Sequence, residues 1–456
     1  MRLLKRHLTV GEMTVPLIAC SMLNAFVGLA DTWIAGSISP GAQAAVAIGE
    51  QFLYIAICMV SGLTIGLSTV VSQALGARKI SLARAYAADG MMLAAVFGLA
   101  GAIVGILLPN QLYAFLQIPT NVAQVGSRYL FICSFGNLPF SLLLMVCALL
   151  RSFGRPLVAL MITALCSIIS VTGAFYFTHG EHNIGIDALG LSWLVGSTAA
   201  VILGLAFVHR ALKRPSRLIV VDALQERLSA LLKLALPPAF SEIIYGVATI
   251  LFFREVLQAS GGLAAQAGYA ACQKIEETFA TMPMQAVSQS VACVVGRMFG
   301  AANFAAANET GKRATVWSGA AMILVGALIA LISPAFAHSF SASADTQGAI
   351  GTILCFAPLL YAGLGVSTAA GGALDGAGRC ARVAFVYSGS AALVRLPVAV
   401  LLLLCGVDAL TLVVTAVLLP RCVASLILVN DLRIGLGGSG KPAEKVIASG
   451  LTPAGT

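Results

Sequence analysis

Two carboxylic acids lie within long apolar stretches of the chain, where charged residues are rare. Glu242 is about eleven residues into the stretch 231–257, and Tyr245 and Thr249 continue its helical face at steps of three and four. An ionised carboxylate at the centre of a bilayer costs about 2.5–3.5 kcal/mol on insertion scales, so it usually marks a function. We interpret this face as a binding surface for a proton or a cation. The alternative is a protonated glutamate that is hydrogen-bonded between helices.

The second acid, Asp31, lies in the first apolar stretch, 12–37. Its separation from Glu12 amounts to roughly 28 Å of helix at about 1.5 Å per residue, which puts Asp31 in the outer half of that stretch. Ser21, Asn24 and Asp31 share one helical face, and a polar stripe on an apolar helix predicts a wet cavity. We expect Asp31, helped by Asn24, to bind an ion. A residue at the interfacial end of the helix would have the same spacing.

Four further polar residues could face a cavity, namely Glu276, Glu277, Asn137 and Tyr54. Acids in the first turns of a helix are favourable there in any case, and Lys274 is close enough in sequence to pair with Glu277. Glu276 and Glu277 could instead form an external vestibule for cations. Asn137 and Tyr54 could line a cavity in the first half of the chain, or form hydrogen bonds between helices.

The elements that must hold these side chains are membrane-spanning helices. The chain is 59% hydrophobic and 10% charged, whereas soluble proteins average about 25% charged residues. Segments this long and apolar can be only helices. Twelve stretches are long enough to cross the bilayer: 12–37, 46–75, 91–117, 127–150, 157–178, 188–209, 231–257, 266–298, 314–338, 350–374, 383–405 and 409–429.

Charge placement predicts the orientation of the helices and excludes several functions. Most of the 27 Lys and Arg fall at the N-terminus, in alternate loops or in the C-terminal tail, so both termini are expected in the cytoplasm. The net charge of +9 then indicates contact with anionic lipid rather than with nucleic acid. The sequence has no CxxC motif and no clustered histidines, so we expect no metal site. It also lacks enzyme and cofactor motifs, which argues against a membrane-embedded enzyme.

An internal repeat predicts the domain organisation. The segments 72–77 and 150–155 return at 296–301 and 374–379, so both matches have the same separation along the chain. The expected fold is an all-α polytopic membrane protein with twelve transmembrane helices in two pseudo-symmetric six-helix bundles. We place the first lobe (TM1–6) at 1–209, a cytoplasmic linker at 210–230, the second lobe (TM7–12) at 231–435 and a disordered cytoplasmic tail at 436–456. We expect a monomer.

Several short motifs resemble those of the multidrug and toxic compound extrusion (MATE) transporters of bacteria. They are Gly28–Gly36 around Asp31, Gln73-x-x-Gly76-Ala77, Leu150-Arg151-Ser152-Phe153-Gly154, Gly300-Ala301, Pro16 and Pro237. The likeness covers about 9–430. It implies export of organic cations or drugs in exchange for H⁺ or Na⁺, and it supports a functional role for Asp31. We expect Asp31, Asn24 and Glu242 to bind the coupling ion.

The second half departs from the family pattern at three positions. Leu364 lies near the position where the family often has an acidic residue. Arg297 stands where a glutamine is usual, and Asp375 stands where an arginine is usual. A single carboxylate, Glu242, cannot easily form the oxygen cage that Na⁺ needs, so we favour proton coupling. A flippase for lipids or lipid-linked oligosaccharides could share the two-lobe plan, but it should carry a cationic cavity. Arg395 is mid-helix, and the sequence indicates no partner for it.

Overall fold

The computed structural model describes residues 9–115, 120–179, 184–212, 224–340 and 343–436. Within these ranges every regular element is a helix, which confirms the all-α prediction. The chain divides into two compact units between Ala239 and Phe240. Much of the predicted linker and nearly all of the predicted tail lie outside the described residues, so those assignments stay predictions.

The first unit contains seven helices and the start of an eighth. They are α1 (Val10–Ile38), α2 (Pro40–Gly76), α3 (Ile80–Leu107), α4 (Pro109–Phe115), α5 (Thr120–Ser152), α6 (Pro156–His179), α7 (Asp187–Leu212) and the first half of α8 (Leu224–Gln258). Side-chain caps define the starts of the first two helices. Thr9 and Glu12 form a reciprocal capping box at the start of α1. Ser39 caps α2, in which proline occupies the first turn.

The second unit contains the rest of α8 and nine further α-helices, with two π-helical turns between them. They are α9 (Gly262–Glu276), a first π turn (Glu277–Thr281), α10 (Met282–Gly300), α11 (Phe304–Leu331), α12 (Ser333–Phe340), α13 (Ala344–Cys355), α14 (Ala357–Gly376), α15 (Cys380–Gly389), a second π turn (Ser390–Arg395), α16 (Leu396–Leu404) and α17 (Ala409–Ile434).

The described residues contain 11 helical segments that are long and apolar enough to cross a membrane. Eleven of the twelve predicted spans overlap these segments, but the predicted spans 91–117 and 314–338 begin and end later in the chain than Ile80–Leu107 and Phe304–Leu331. The remaining span, 266–298, is formed by α9, the first π turn and α10 in succession. The protein is therefore a multi-pass membrane protein, and its helices fit the predicted twelve-span plan.

Helix boundaries repeat at the spacing that the sequence predicted. Four pairs of boundaries share the separation of the repeated motifs: the ends of α2 and α10 at Gly76 and Gly300, the starts of α3 and α11 at Ile80 and Phe304, the ends of α5 and α14 at Ser152 and Gly376, and the starts of α6 and α15 at Pro156 and Cys380. The repeat is thus a property of the helices and not only of short motifs.

The repeated motifs are helix-ending turns. Four residues with left-handed backbone conformation form two pairs at the same spacing: Arg78 (φ 61°) with Ala302 (φ 58°), and Gly154 (φ 75°) with Gly378 (φ 85°). In each turn the next amide donates to a carbonyl five residues earlier, as from Lys79 to Ala74 at 2.8 Å. This bond closes the last helical turn. Glycine at the second pair avoids the steric cost of a side chain.

The N-terminal half of α8 is fixed to the first unit by a buried ion pair and by close helix packing. Arg227 donates to the two carboxylate oxygens of Asp89 on α3, at 2.7 and 3.4 Å, and both side chains are buried. A Cβ on Gly62 of α2 would clash with the backbone of Ala235. The absent side chain therefore lets α2 and α8 touch. Ala235 also belongs to the main apolar cluster of this unit.

Removing one partner of the buried pair should destabilise the first unit. Arg227→Met leaves the Asp89 carboxylate buried without its main cation, which typically costs about 3–5 kcal/mol. We expect a clearly lower thermal unfolding midpoint in detergent. Arg313→Met is the matched control, because Arg313 and Glu309 form an exposed pair on α11 that is worth about 0–1 kcal/mol. Equal midpoints for the two variants would contradict a stabilising role for the Arg227–Asp89 pair.

Candidate functional site

The first unit brings Asp31 together with a second acid, Glu50. Asp31 on α1 is half-buried, and Glu50 on α2 lies close enough for the two charges to interact. Tyr129 and Cys133, both buried on α5, lie near both acids. The cluster therefore joins three helices of the first unit around two carboxylates.

A glycine and two tyrosines set the position of Glu50. A Cβ on Gly49 would come within 2.8 Å of the Tyr129 ring and 3.1 Å of the Tyr113 hydroxyl, so only glycine lets α2 approach these rings. The Tyr113 hydroxyl in turn donates to the Ala45 carbonyl at 2.8 Å. Glu50, the next residue after Gly49, is thereby held beside Tyr129.

Two neighbouring carboxylates suit the binding of a proton or a small cation. When both are ionised in an apolar setting they repel each other, and a bound positive charge relieves that repulsion. Asn24 is exposed on α1, about 10.5 Å from Asp31 by helix rise. The sequence does not link Glu50 to Asp31, because the neighbours of Glu50 on α5 cannot be read from the α2 sequence.

The C-terminal end of α1 carries an exposed aromatic group. Trp33 stacks on Phe175 of α6 with ring centroids 6.2 Å apart. His179, at the end of α6, lies 3.0 Å from the Ser37 hydroxyl. Trp33 follows Asp31 by two residues, so this arrangement fixes the end of α1 next to the acid pair.

In the second unit, Glu242 is half-buried on α8. Tyr387 of α15 lies within electrostatic range of it. The neighbouring Ser241 donates to the Ala384 carbonyl at 3.0 Å, which ties α8 to α15. Tyr245 is 43% exposed. Leu364, the departure from the family pattern on α14, packs against the apolar cluster of this unit.

Arg395, for which the sequence indicated no partner, contacts Thr249, Tyr269 and Phe252 in the structure. Its guanidinium donates to the Thr249 hydroxyl at 3.2 Å and to the Tyr269 hydroxyl at 2.7 Å, and it lies 4.1 Å from the centre of the Phe252 ring. Arg395 is 4% exposed and ends the second π turn. Thr249 and Phe252 continue the Glu242–Tyr245 face at helical spacing, so Arg395 packs against the continuation of that face.

The adjacent acids Glu276 and Glu277 have different partners. Lys274 donates to Glu277 at 3.0 Å on the protein surface, which confirms the predicted pairing. Glu276 instead forms a mostly buried ion pair with Arg421 of α17. The first π turn begins directly after Glu276, and such turns are frequent at functional sites.

The last two candidates lie in different surroundings. Asn137 is 4% exposed on α5, beside Gly101 of α3, whereas Tyr54 on α2 is 51% exposed. Among the described residues no three His, Cys, Asp or Glu side chains are grouped as a metal site would require.

Comparison with known proteins places this architecture in a family. The MatE family model matches residues 16–176 and 237–401. The chain is 23% identical to the "Uncharacterized transporter YisQ" of Bacillus subtilis (strain 168), over 77% of this chain and 78% of that protein. It is 26% identical to the "Probable multidrug resistance protein NorM" of Aromatoleum aromaticum, over 63% and 62% of the two chains.

A solved structure shares the fold. It is the outward-facing conformation of a multidrug resistance MATE family transporter of the MOP superfamily, with a TM-score of 0.87, 16% identity and coverage of 98% of both chains. The family model covers more than half of this chain and matches both of its units. The resemblance inferred from the motifs is therefore confirmed, and the chain belongs to the MatE family.

Proposed function

We propose that the chain is a secondary antiporter that exports organic cations or drugs across the cell (inner) membrane in exchange for protons, with Na⁺ as the alternative coupling ion. The observation that carries this proposal is the Asp31–Glu50 pair inside the first unit. A pair of acids in an apolar bundle binds positive charge reversibly, which is the property that an exchanger needs. The MatE match and the name of the NorM relative support it.

Asp31 is the principal coupling site in this proposal, with Asn24 on the same helical face. Glu50 joins the site as its second carboxylate. Two carboxylates with a tyrosine and a thiol are few ligands for Na⁺, which prefers several hard oxygen atoms. They suffice for one proton, so proton coupling is the favoured form.

Glu242 supplies counter-charge to cationic substrates in the second unit. Tyr245 and Thr249 extend its face, and the exposed Tyr245 ring can contact an organic cation. Asn137, Tyr54, Glu276 and Glu277 complete the candidate substrate residues. Selectivity for cationic over neutral substrates depends mainly on Glu242, because Glu276 and Glu277 already form ion pairs with Arg421 and Lys274.

A flippase for lipids or lipid-linked oligosaccharides is the second candidate. It is favoured by the buried Arg395 and the mostly buried Arg421, since phosphate headgroups are bound by guanidinium groups. Arg421 is already paired with a carboxylate, which makes the cationic-drug interpretation the stronger one. Export of a cationic dye without any lipid movement would separate the two.

The orientation in the membrane is part of the proposal. With cytoplasmic termini, Ser81 at the start of α3 faces the cytoplasm, and Ile184 before α7 faces the outside. Single cysteines at these exposed positions should be labelled differently by a membrane-impermeant maleimide, once the exposed Cys355 and Cys405 are replaced. Ile184→Cys should react in intact cells and Ser81→Cys only after permeabilisation. The opposite result would reverse the topology.

Asp31→Asn should abolish proton-driven efflux while leaving expression unchanged. It preserves size and hydrogen bonding but removes one of the two charges that hold the ion. The measurement is dye transport in everted vesicles under separately imposed proton and Na⁺ gradients, with signal expected to fall to that of vesicles lacking the protein.

Asp408→Asn is the matched control for Asp31→Asn. Asp408 caps α17 outside the spans, and hydrogen bonds from Thr411 hold the pKa of its carboxyl below the ordinary value. Asn also caps helices well, so transport should be unchanged. Wild-type efflux by Asp31→Asn would remove the coupling role from Asp31.

Glu242→Gln should weaken transport of cationic substrates more than that of neutral ones, because only cations gain from the charge. An increase in apparent KM of about tenfold corresponds to about 1.4 kcal/mol of lost attraction. Glu226→Gln, at an exposed position on the same helix, is the control. Equal losses for cationic and neutral substrates would exclude Glu242 as the counter-charge.

A further inference from the structure

A small, partly enclosed cavity in the second unit lies between α9, α13, α14 and α17. Its volume is about 10 Å³, and most of its lining is aliphatic. Three lining residues carry polar groups: Tyr269, Glu276 and Tyr361. A cavity needs roughly 10–15 Å³, together with two to four polar partners, to hold one water molecule. The volume reaches the lower end of that range, and the three polar residues in the lining are candidate partners.

Tyr361 supplies a donor that the surrounding protein does not satisfy. The residue is 2% exposed, and its hydroxyl has no hydrogen-bond partner among the described residues. A buried polar group left unpaired costs about 1–3 kcal/mol. Because Tyr361 lines the cavity, a water there would accept its proton.

Tyr269 has one hydrogen-bonding direction left. Its hydroxyl accepts from Arg395 at 2.7 Å and from Gln273 at 3.2 Å. A phenol has one proton to donate and two acceptor positions. With both acceptor positions used, the hydroxyl proton of Tyr269 is available to the cavity.

Glu276 provides the acceptor. One of its carboxylate oxygens receives the guanidinium of Arg421, and an ionised carboxylate can accept about four hydrogen bonds in total. A water that accepts from Tyr269 and Tyr361 still has two protons, one of which can go to Glu276. Each hydrogen bond around this water then joins one donor to one acceptor.

We propose that this cavity is a single-water site, and that the water links Arg395, through Tyr269, to the Glu276 carboxylate. The direction of donation runs from Arg395 to Tyr269, from Tyr269 to water and from water to Glu276. Arginine only donates and an ionised carboxylate only accepts, so the chain is polarised in one direction and its bonds reinforce one another.

The water-mediated link would give the buried guanidinium of Arg395 a negatively charged partner. No described carboxylate lies within 4.0 Å of the Arg395 guanidinium, and an uncompensated buried charge is costly. Glu276 would compensate both Arg421 directly and Arg395 through the relay. The water site would form whatever the chain transports, so its test is independent of any efflux assay.

The direction in which Tyr361→Phe shifts the thermal unfolding midpoint tests whether the cavity holds a water. If the hydroxyl bonds a water, the variant loses that bond and its unfolding midpoint falls, by about 2–4 °C. If the cavity is dry, removing an unpaired buried hydroxyl leaves the midpoint unchanged or raises it. Tyr176→Phe is the control, because Tyr176 is 59% exposed. A midpoint equal to or above that of wild type would overturn the proposal.

Two further measurements test the relay itself. A double-mutant cycle of Tyr361→Phe with Tyr269→Phe should show non-additive midpoint shifts, since both hydroxyls share one water. Additive shifts would mean that the hydroxyls act separately, and would reject the relay. A density map that resolves ordered water should contain a peak within about 3.2 Å of the three oxygens. A clear map without that peak would also reject it.

Discussion

The absence of water from the bilayer interior is the constraint on which this structure depends. Every backbone amide there must be satisfied within its own segment, so the spans are helices. Each charge buried among them needs a partner from inside the protein. Asp89 finds Arg227, Glu276 finds Arg421, and Arg395 finds hydroxyls and an aromatic face. Asp31 and Glu50 instead place two like charges near each other, which is why we propose this pair as the place where an external positive charge binds.

Much of the fold could be predicted from the sequence, because hydropathy and turn chemistry are local. The constant spacing between repeated motifs reappears in the helix ends, since the motifs are the turns that end those helices. The π turns at Glu277–Thr281 and Ser390–Arg395 were not predicted. Their extra residue per turn is stabilised by contacts with other helices, such as those of Arg395 with α8 and α9, and no local sequence pattern records these.

The site was predicted only in part, for the same reason. Asp31 and Glu242 stand out as candidates in the sequence because a carboxylate in an apolar stretch is conspicuous. Their neighbours come from distant segments: Glu50 meets Tyr129 through the space that Gly49 leaves, and Glu276 meets Arg421 across 145 positions of sequence. Helical periodicity reports which face a residue occupies but not which helix lies opposite. The partner of Arg395 could therefore be named only from the packed structure.

The repeat gives a reason for placing ion coupling in the first unit. When the two halves are aligned by their repeated motifs, Asp31 corresponds to Glu255 and Glu50 corresponds to Lys274. The first repeat thus holds two acids at positions where the second holds an acid and a base. Two acids repel until a cation or proton joins them, whereas opposite charges do not need one. Divergence at one of two repeated positions therefore gives the first unit a pair of like charges that the second unit lacks at the corresponding positions, which supports the proposal of ion coupling in the first unit.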